Sequence, residues 1–177
     1  ILMLNRTEFI ESFLAINKLG AIAVPVNFRM TPSEIAFLVS DCQARVVITE
    51  SVLANVAAAV RDLDATLATV IVAGGDGADS ADGAATLNYE DLMTAGANPP
   101  PVDIPDDSPA LIMYTSGTTG RPKGAVLTHN NLAGQAMTHL FTNGADINND
   151  IGFIGVPLFH IAASATPSSA CSSAGRR

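Results

Sequence analysis

The chain has 177 residues, a net charge of −8, and 48% hydrophobic against 15% charged residues. That length can hold a substantial core, and the acidic balance excludes a general nucleic-acid groove or anionic-membrane surface. Its longest aliphatic runs are about ten residues, against the roughly 20 needed to span a bilayer. No basic-plus-apolar leader is expected. Cys42 and Cys171 are far apart and fit no metal or redox spacing. The expectation is a cytoplasmic protein with no transmembrane segment.

In chain order, Ile1–Leu4 reads as an apolar strand with no turn before it and no initiator methionine at residue 1, so the chain reads as a fragment. Phe9, Phe13, Ile16 and Leu19 recur at helical spacing and predict a helix from Asn5 to Leu19, stopped by Gly20. Ala21–Val26 is strand-like. Thr31-Pro32-Ser33-Glu34 is a capping box with proline at the first helical position, and the helix runs to about Asp41. Arg45–Thr49 predicts a strand, Ser51–Leu63 an alanine-rich helix, and Thr69–Ala73 another strand. This alternation implies βαβ units around a mainly parallel sheet.

Gly74–Ala85 is rich in Gly, Asp and Ala and reads as a mobile acidic loop. Its aspartates lack the spacing and apolar frame of a metal site. Tyr89–Met93 suits a short helix. Gly96–Asp107, with Pro99, Pro100, Pro101 and Pro105, reads as a stiff linker and places a subdomain boundary near residue 105. Strand Ala110–Tyr114, strand Ala125–Thr128, helix Asn130–Phe141 and strand Asp150–Val156 follow, with Asn130 expected as the helix N-cap.

Between the two strands after the linker lies YTSGTTGRPKG, Tyr114–Gly124. It joins the hydroxyls of Thr115, Ser116, Thr118 and Thr119 to Gly117, Gly120 and Gly124 and to Lys123. Glycines let backbone N–H groups approach an anion closely, and successive N–H groups in turns form a concave anion site. Hydroxyls add donors, and a lysine adds a point charge suited to phosphate. These residues therefore predict a polyphosphate-holding loop. It is not a Walker A loop, because Pro122 and Gly124 stand where Gly and Ser/Thr would be required and a strand follows instead of a helix. A ligand-free hairpin loop is the plain alternative, but hairpins need only one or two special turn residues.

Tyr114–Gly124 resembles the phosphate-binding signature of the adenylate-forming, or AMP-binding, enzymes, which include acyl-CoA synthetases. Lys18–Asn27 (KLGAIAVPVN) and the helix-then-strand layout of Thr31–Thr49 are also similar to that family. The resemblance implies an α/β fragment of the family's large N-terminal domain. It also implies the chemistry. A carboxylate attacks the α-phosphate of Mg2+-bound ATP, giving an acyl-adenylate and pyrophosphate, and coenzyme A takes the acyl group. Thr115, Ser116, Gly117, Thr118, Thr119, Gly120 and Lys123 then belong to the ATP-phosphate site. Arg121 is the least constrained position of the signature.

Pro157-Leu158-Phe159-His160 resembles the acyl-pocket segment of acyl-CoA ligases, which would put His160 beside the carboxylate and adenylate. A partly buried structural histidine is the alternative. His129 reads as a fold-supporting residue and His139 as a solvated one. Amino-acid-activating relatives place an aspartate near this segment, whereas no carboxylate occurs from Ile151 onward here. An amine-bearing substrate would lack its charge partner, so a simple carboxylic acid, such as a fatty acid, is expected.

After Ile161 the pattern breaks. AASATPSSACSSAGRR holds no large apolar residue and no periodicity, so it cannot bury a face and reads as a disordered, non-native tail. The family's metal carboxylate, ribose-binding aspartate and catalytic lysine lie on later motifs with no counterpart here. The division expected is 1–104 and 105–161 as parts of two subdomains and 162–177 as the tail. The alternative to a ligase fragment is a catalytically dead truncated or frameshifted product that binds nucleotide weakly.

Overall fold

The computed structural model describes residues 1–75, 86–94, 101–115, 121–143 and 155–160. Helix α1 spans Thr7–Lys18, α2 Pro32–Asp41, α3 Ala54–Leu63, α4 Tyr89–Thr94 and α5 His129–Asn143. Strands are β1 Val46–Glu50, β2 Thr69–Ala73, β3 Thr86–Asn88, β4 Pro109–Thr115 and β5 Lys123–Thr128. The capping box forms as read. The Thr31 hydroxyl accepts from the Glu34 N–H, and the Glu34 carboxylate accepts from the Thr31 N–H at 2.8 Å. Those two bonds satisfy N–H groups that a helix start leaves unpaired.

β1, β2 and β3 pair in parallel, in that order. β4 and β5 form an antiparallel pair. The two stretches predicted as strands, 1–4 and 21–26, connect these groups through single bridges. Leu2 bridges Thr49 in parallel, and Ala23 bridges Leu111 in parallel. Between them the Ile1 amine donates to Val24 O at 2.8 Å and the Val26 N–H donates to Ile1 O at 2.9 Å, the pattern of a parallel pair. Chain direction is therefore shared from β3 across to β4, and only β5 runs against it.

Side chains alternate across this layer with period two. Leu2, Val47, Val70 and Val72 join Ile35, Leu38 and Val39 of α2 and Ala57 and Val60 of α3 in one buried cluster. Ile1, Met3, Ile48, Ile71, Ala73, Leu111 and Met113 pack with Phe9 and Phe13 of α1, Tyr89 and Leu132 in the other. Helices thus cover both faces, as parallel sheets require. Phe9 is 1% exposed, and burial of such a side chain stabilises by about 1.5–3 kcal/mol.

Some sequence expectations differ in detail. The helix expected over 51–63 opens with a 3-10 turn, Ser51–Leu53, before α3. β3 was not expected at all, because TLN is too short to show a period. Helix α5 starts at His129, one residue before the start expected, and the N-cap is Thr128 rather than Asn130. The Thr128 hydroxyl accepts from the Asn131 N–H at 3.2 Å, and Asn131 Oδ1 accepts from the Thr128 N–H at 3.0 Å. A hydroxyl at the strand end reaches back better than an amide already inside the first turn. The acidic loop beyond Gly75, most of the expected strand 150–156 and the tail 162–177 lie outside the described residues. Among the described residues no helix is long and apolar enough to cross a membrane.

Candidate functional site

Because β1, β2, β4 and the two bridging segments run the same way, their carboxyl ends lie along one edge of the layer. That edge is where open α/β sheets hold ligands. Three constructions occupy it. The first is an ion cluster. Arg6 Nη1 lies 3.5 Å from a Glu50 carboxylate oxygen, and the Arg6 guanidinium also pairs with Glu8. Glu50 is 3% exposed and also accepts the Leu4 N–H. The Arg6 hydrogen bond holds the Glu8 carboxyl below the ordinary carboxylate range, against its partial desolvation. Gly74, at φ +72°, leaves room for Arg6: a Cβ there would stand 2.8 Å from Nη1. This cluster stitches α1 to the ends of β1 and β2, and both carboxylates are already committed to Arg6.

The second construction is the 155–160 segment. Asn5 holds it from both sides: Nδ2 donates to Val156 O at 3.0 Å, and Oδ1 accepts the Leu158 N–H at 2.8 Å. Leu158 is buried in the α1-side cluster. Phe159 meets Phe28 edge-to-face at 5.4 Å, and the Arg29 guanidinium lies 5.6 Å from the Phe28 ring centre. His160 closes a turn onto Pro157 O at 3.0 Å and has an exposed side chain. The expected substrate-pocket residue therefore sits on the carboxyl edge, beside an aromatic pair.

The third construction is the β4–β5 hairpin. Thr115 and Lys123 are cross-strand partners at its loop end, with the Thr115 hydroxyl 3.5 Å from Lys123 O. Both side chains are exposed and share a face. Tyr114 and Gly124 are the next pair inward. A Cβ on Gly124 would stand 2.8 Å from Ile112 Cγ2 and 3.3 Å from Tyr114 Cζ, so the tyrosine ring and Ile112 lie against the glycine backbone. Ser116, Gly117, Thr118, Thr119 and Gly120 lie outside the described residues.

The structure thus brings Thr115 and Lys123 together and puts His160 on a separate segment of the same edge. Three contributors were not singled out from sequence. Asn5, which anchors the 155–160 segment, gives no local signal for a partner some 150 residues away. Phe28 shows none either. Asp41 does carry one: a carboxylate at a helix C-terminus opposes the helix dipole and calls for a donor. That donor is Tyr114, whose hydroxyl donates to Asp41 Oδ2 at 2.6 Å. Burial, and then this bond to a carboxylate, raise the Tyr114 phenol above its usual range.

The family model described as AMP-binding enzyme matches residues 1–175. A long-chain-fatty-acid–CoA ligase, FadD13, of Mycobacterium tuberculosis is 37% identical over 169 residues, covering 94% of this chain and 31% of the relative. A feruloyl-CoA synthase of an Amycolatopsis species is 33% identical, covering 90% and 28%. Among solved structures, an anthranilate CoA ligase, AuaEII, in complex with anthranoyl-AMP superposes with a TM-score of 0.80 at 25% identity, covering 97% of this chain and 33% of that one. The chain belongs to the AMP-binding enzyme family. Its matched region reaches past Ile161 into the Ala/Ser-rich stretch, and it spans about a third of the length of the curated relatives it matches.

The described residues fit the polyphosphate part of Mg2+-ATP better than the metal. Lys123 offers a cation and Thr115 a hydroxyl, paired across the strands. No group of three or more His, Cys, Asp or Glu that could hold an ion occurs among the described residues.

Proposed function

We propose that this chain supplies the phosphate-loop part of an ATP-dependent, AMP-forming acyl-CoA ligase that activates a carboxylic acid through an acyl-adenylate. The observation carrying this reading is the Thr115–Lys123 pair at the loop end of the hairpin, on the carboxyl edge of a fold shared with acyl-CoA ligases. Thr115, Ser116, Gly117, Thr118, Thr119, Gly120 and Lys123 hold the β- and γ-phosphates in this reading. Lys123 offsets the charge that builds on pyrophosphate as the α-phosphate is attacked. Magnesium ion, when bound with ATP, supplies further neutralisation of the phosphates. Residues 1–104 and 105–161 are parts of two subdomains that meet where Ala23 bridges β4.

His160 lies at the acyl wall in this reading, next to the Phe28–Phe159 pair. A fatty acid is the substrate favoured. The segment after Ile151 brings no carboxylate for a substrate amine, and a relative at 37% identity is described as a long-chain-fatty-acid–CoA ligase. The place of action is the cytoplasm, with coenzyme A as the acyl acceptor.

The test is a chimera in which this chain replaces the matching third of a full-length relative. Fatty-acid-dependent ATP–pyrophosphate exchange is expected, with acyl-CoA formed on adding coenzyme A. Lys123→Ala should slow adenylate formation more than thioester formation, because only the first step releases pyrophosphate. A folded chimera with no acid-dependent exchange, or an undiminished Lys123→Ala variant, would overturn the reading.

A further inference from the structure

Helix α2 carries contacts that neither its packing nor the phosphate residues explain. Ile35, Leu38 and Val39 face the core. Phe37 and Asp41 are four residues apart and therefore share a second face, one turn from each other. Each meets one flank of the signature. Asp41 accepts the Tyr114 hydroxyl at 2.6 Å, just before Thr115. Phe37 lies under the Arg121 guanidinium, 6.0 Å from its ring centre, just before Lys123. That separation is at the outer limit of a cation–π contact.

The helix is suited to serve as a fixed base. Its N-terminus is locked by the capping box and Pro32, and its core face is buried. Asp41 at its C-terminal end opposes the helix dipole and is compensated by the Tyr114 donor. Gly124 supplies the complementary fit on the hairpin, since a side chain there would strike Ile112 and crowd Tyr114. Arg121, which sequence left without a role, gains one.

We propose that the Phe37–Asp41 face of α2 is the anchor for both flanks of the phosphate loop, making Phe37, Asp41, Tyr114 and Arg121 positioning residues for triphosphate binding. The proposal rests on the phosphate reading above for its functional consequence, and on the two flank contacts for its geometry. Charge reaches the phosphates from Lys123. The anchor sets where Lys123 and Thr115 stand relative to the first part of the fold.

The experiment uses the full 177-residue chain, labelled with 15N, first without ligand and then titrated with Mg-ATP. Without ligand, Tyr114→Phe and Asp41→Ala should move the Thr115 and Lys123 amide signals alike, and the double variant should move them no further. Asp41→Asn keeps an oxygen acceptor and should restore the wild-type positions. The Arg121 Nε–H signal should show a ring-current shift that Phe37→Leu abolishes. With ATP, Tyr114→Phe and Asp41→Ala should each weaken affinity about three- to tenfold, and together by no more than either alone, as coupled partners do. Melting curves recorded beside them separate lost anchoring from lost folding. Additive amide shifts, no rescue by Asp41→Asn, or unchanged affinity in both variants would overturn the proposal. If the wild-type chain shows no response to ATP, the phosphate reading and the functional role of the anchor fall together, whereas coincident ligand-free shifts would still establish the Tyr114–Asp41 contact.

Discussion

Gly124→Ala should destabilise the hairpin although it adds one methyl group to an exposed strand position. The added Cβ would lie 2.8 Å from Ile112 Cγ2 and 3.3–3.4 Å from the Tyr114 ring. Ordinary carbon contacts lie at about 3.5–4.0 Å, so roughly 0.7 Å must be found. Ile112 is β-branched and restricted at χ1, so its methyl cannot swing aside cheaply. Overpacking of this kind costs about 1–3 kcal/mol. For a chain of this size, each kcal/mol lowers Tm by about 2–4 °C, so a fall of about 2–12 °C is expected in a thermal melt followed by far-UV circular dichroism. Gly134→Ala is the control. It sits inside α5 with nothing within 4 Å of the new Cβ, and should stabilise by about 0.5–1 kcal/mol. If the two variants melt alike, or Gly124→Ala melts higher, the close-approach argument is wrong.

Glu50→Ala removes the acceptor of the Leu4 N–H and the partner of Arg6 from a site 3% exposed, and should cost about 2–4 kcal/mol in urea unfolding; Glu50→Gln, which keeps an acceptor, should cost less. Equal costs would mean that the charge alone matters. The chain has two tyrosines and no tryptophan, so absorbance at tyrosinate wavelengths reports both directly. Burial, then the hydrogen bond to Glu11, pushes Tyr89 up to about 12, and Tyr114 is raised as well. Because these folded-state pKa values exceed the unfolded value of 10.0, their stabilising contribution is whole below pH 10 and is lost as pH rises through them, at about 12 for Tyr89. Ionisation of both at free-tyrosine pH would contradict the burial and both hydrogen bonds. Lys123→Ala should weaken Mg-ATP binding to this chain by tenfold or more by analogy with other single charged-donor losses, read by calorimetric titration; unchanged affinity would make Lys123 a solvated loop residue.

Much of the fold was legible because its signals are local. Thr31-Pro32-Ser33-Glu34 names both halves of a capping box, and the structure forms both. The β-branched run from Arg45 and the Thr69–Ala73 run each became a parallel strand within a residue of its expected bounds. Strand segments 1–4 and 21–26 were visible as apolar runs, but their joining role depends on hydrogen bonds with Ile48, Thr49, Ala110 and Ile112 that no local pattern encodes. For the site, the loop chemistry singles out Thr115 and Lys123, and the structure makes them cross-strand partners. The partners that position them were not. Asp41 and Tyr114 are separated by 73 residues, and Asn5 and Leu158 by 153. Such contacts are set by the assembled layer, and sequence offers only the oddity of a carboxylate at a helix end. The N-cap of α5 was misplaced because Thr128 is both the last residue of β5 and the cap, and a strand pattern hides a cap.

The most direct measurement of the central claim is an amide-resolved NMR titration of the 177-residue chain with Mg-ATP and, separately, with magnesium pyrophosphate. The account predicts that both ligands shift the amides of residues 115–124, and that Lys123→Ala weakens both responses while leaving the melting temperature near that of wild type. Responses confined to other parts of the chain, or a Lys123→Ala variant that binds pyrophosphate as the wild type does, would contradict it.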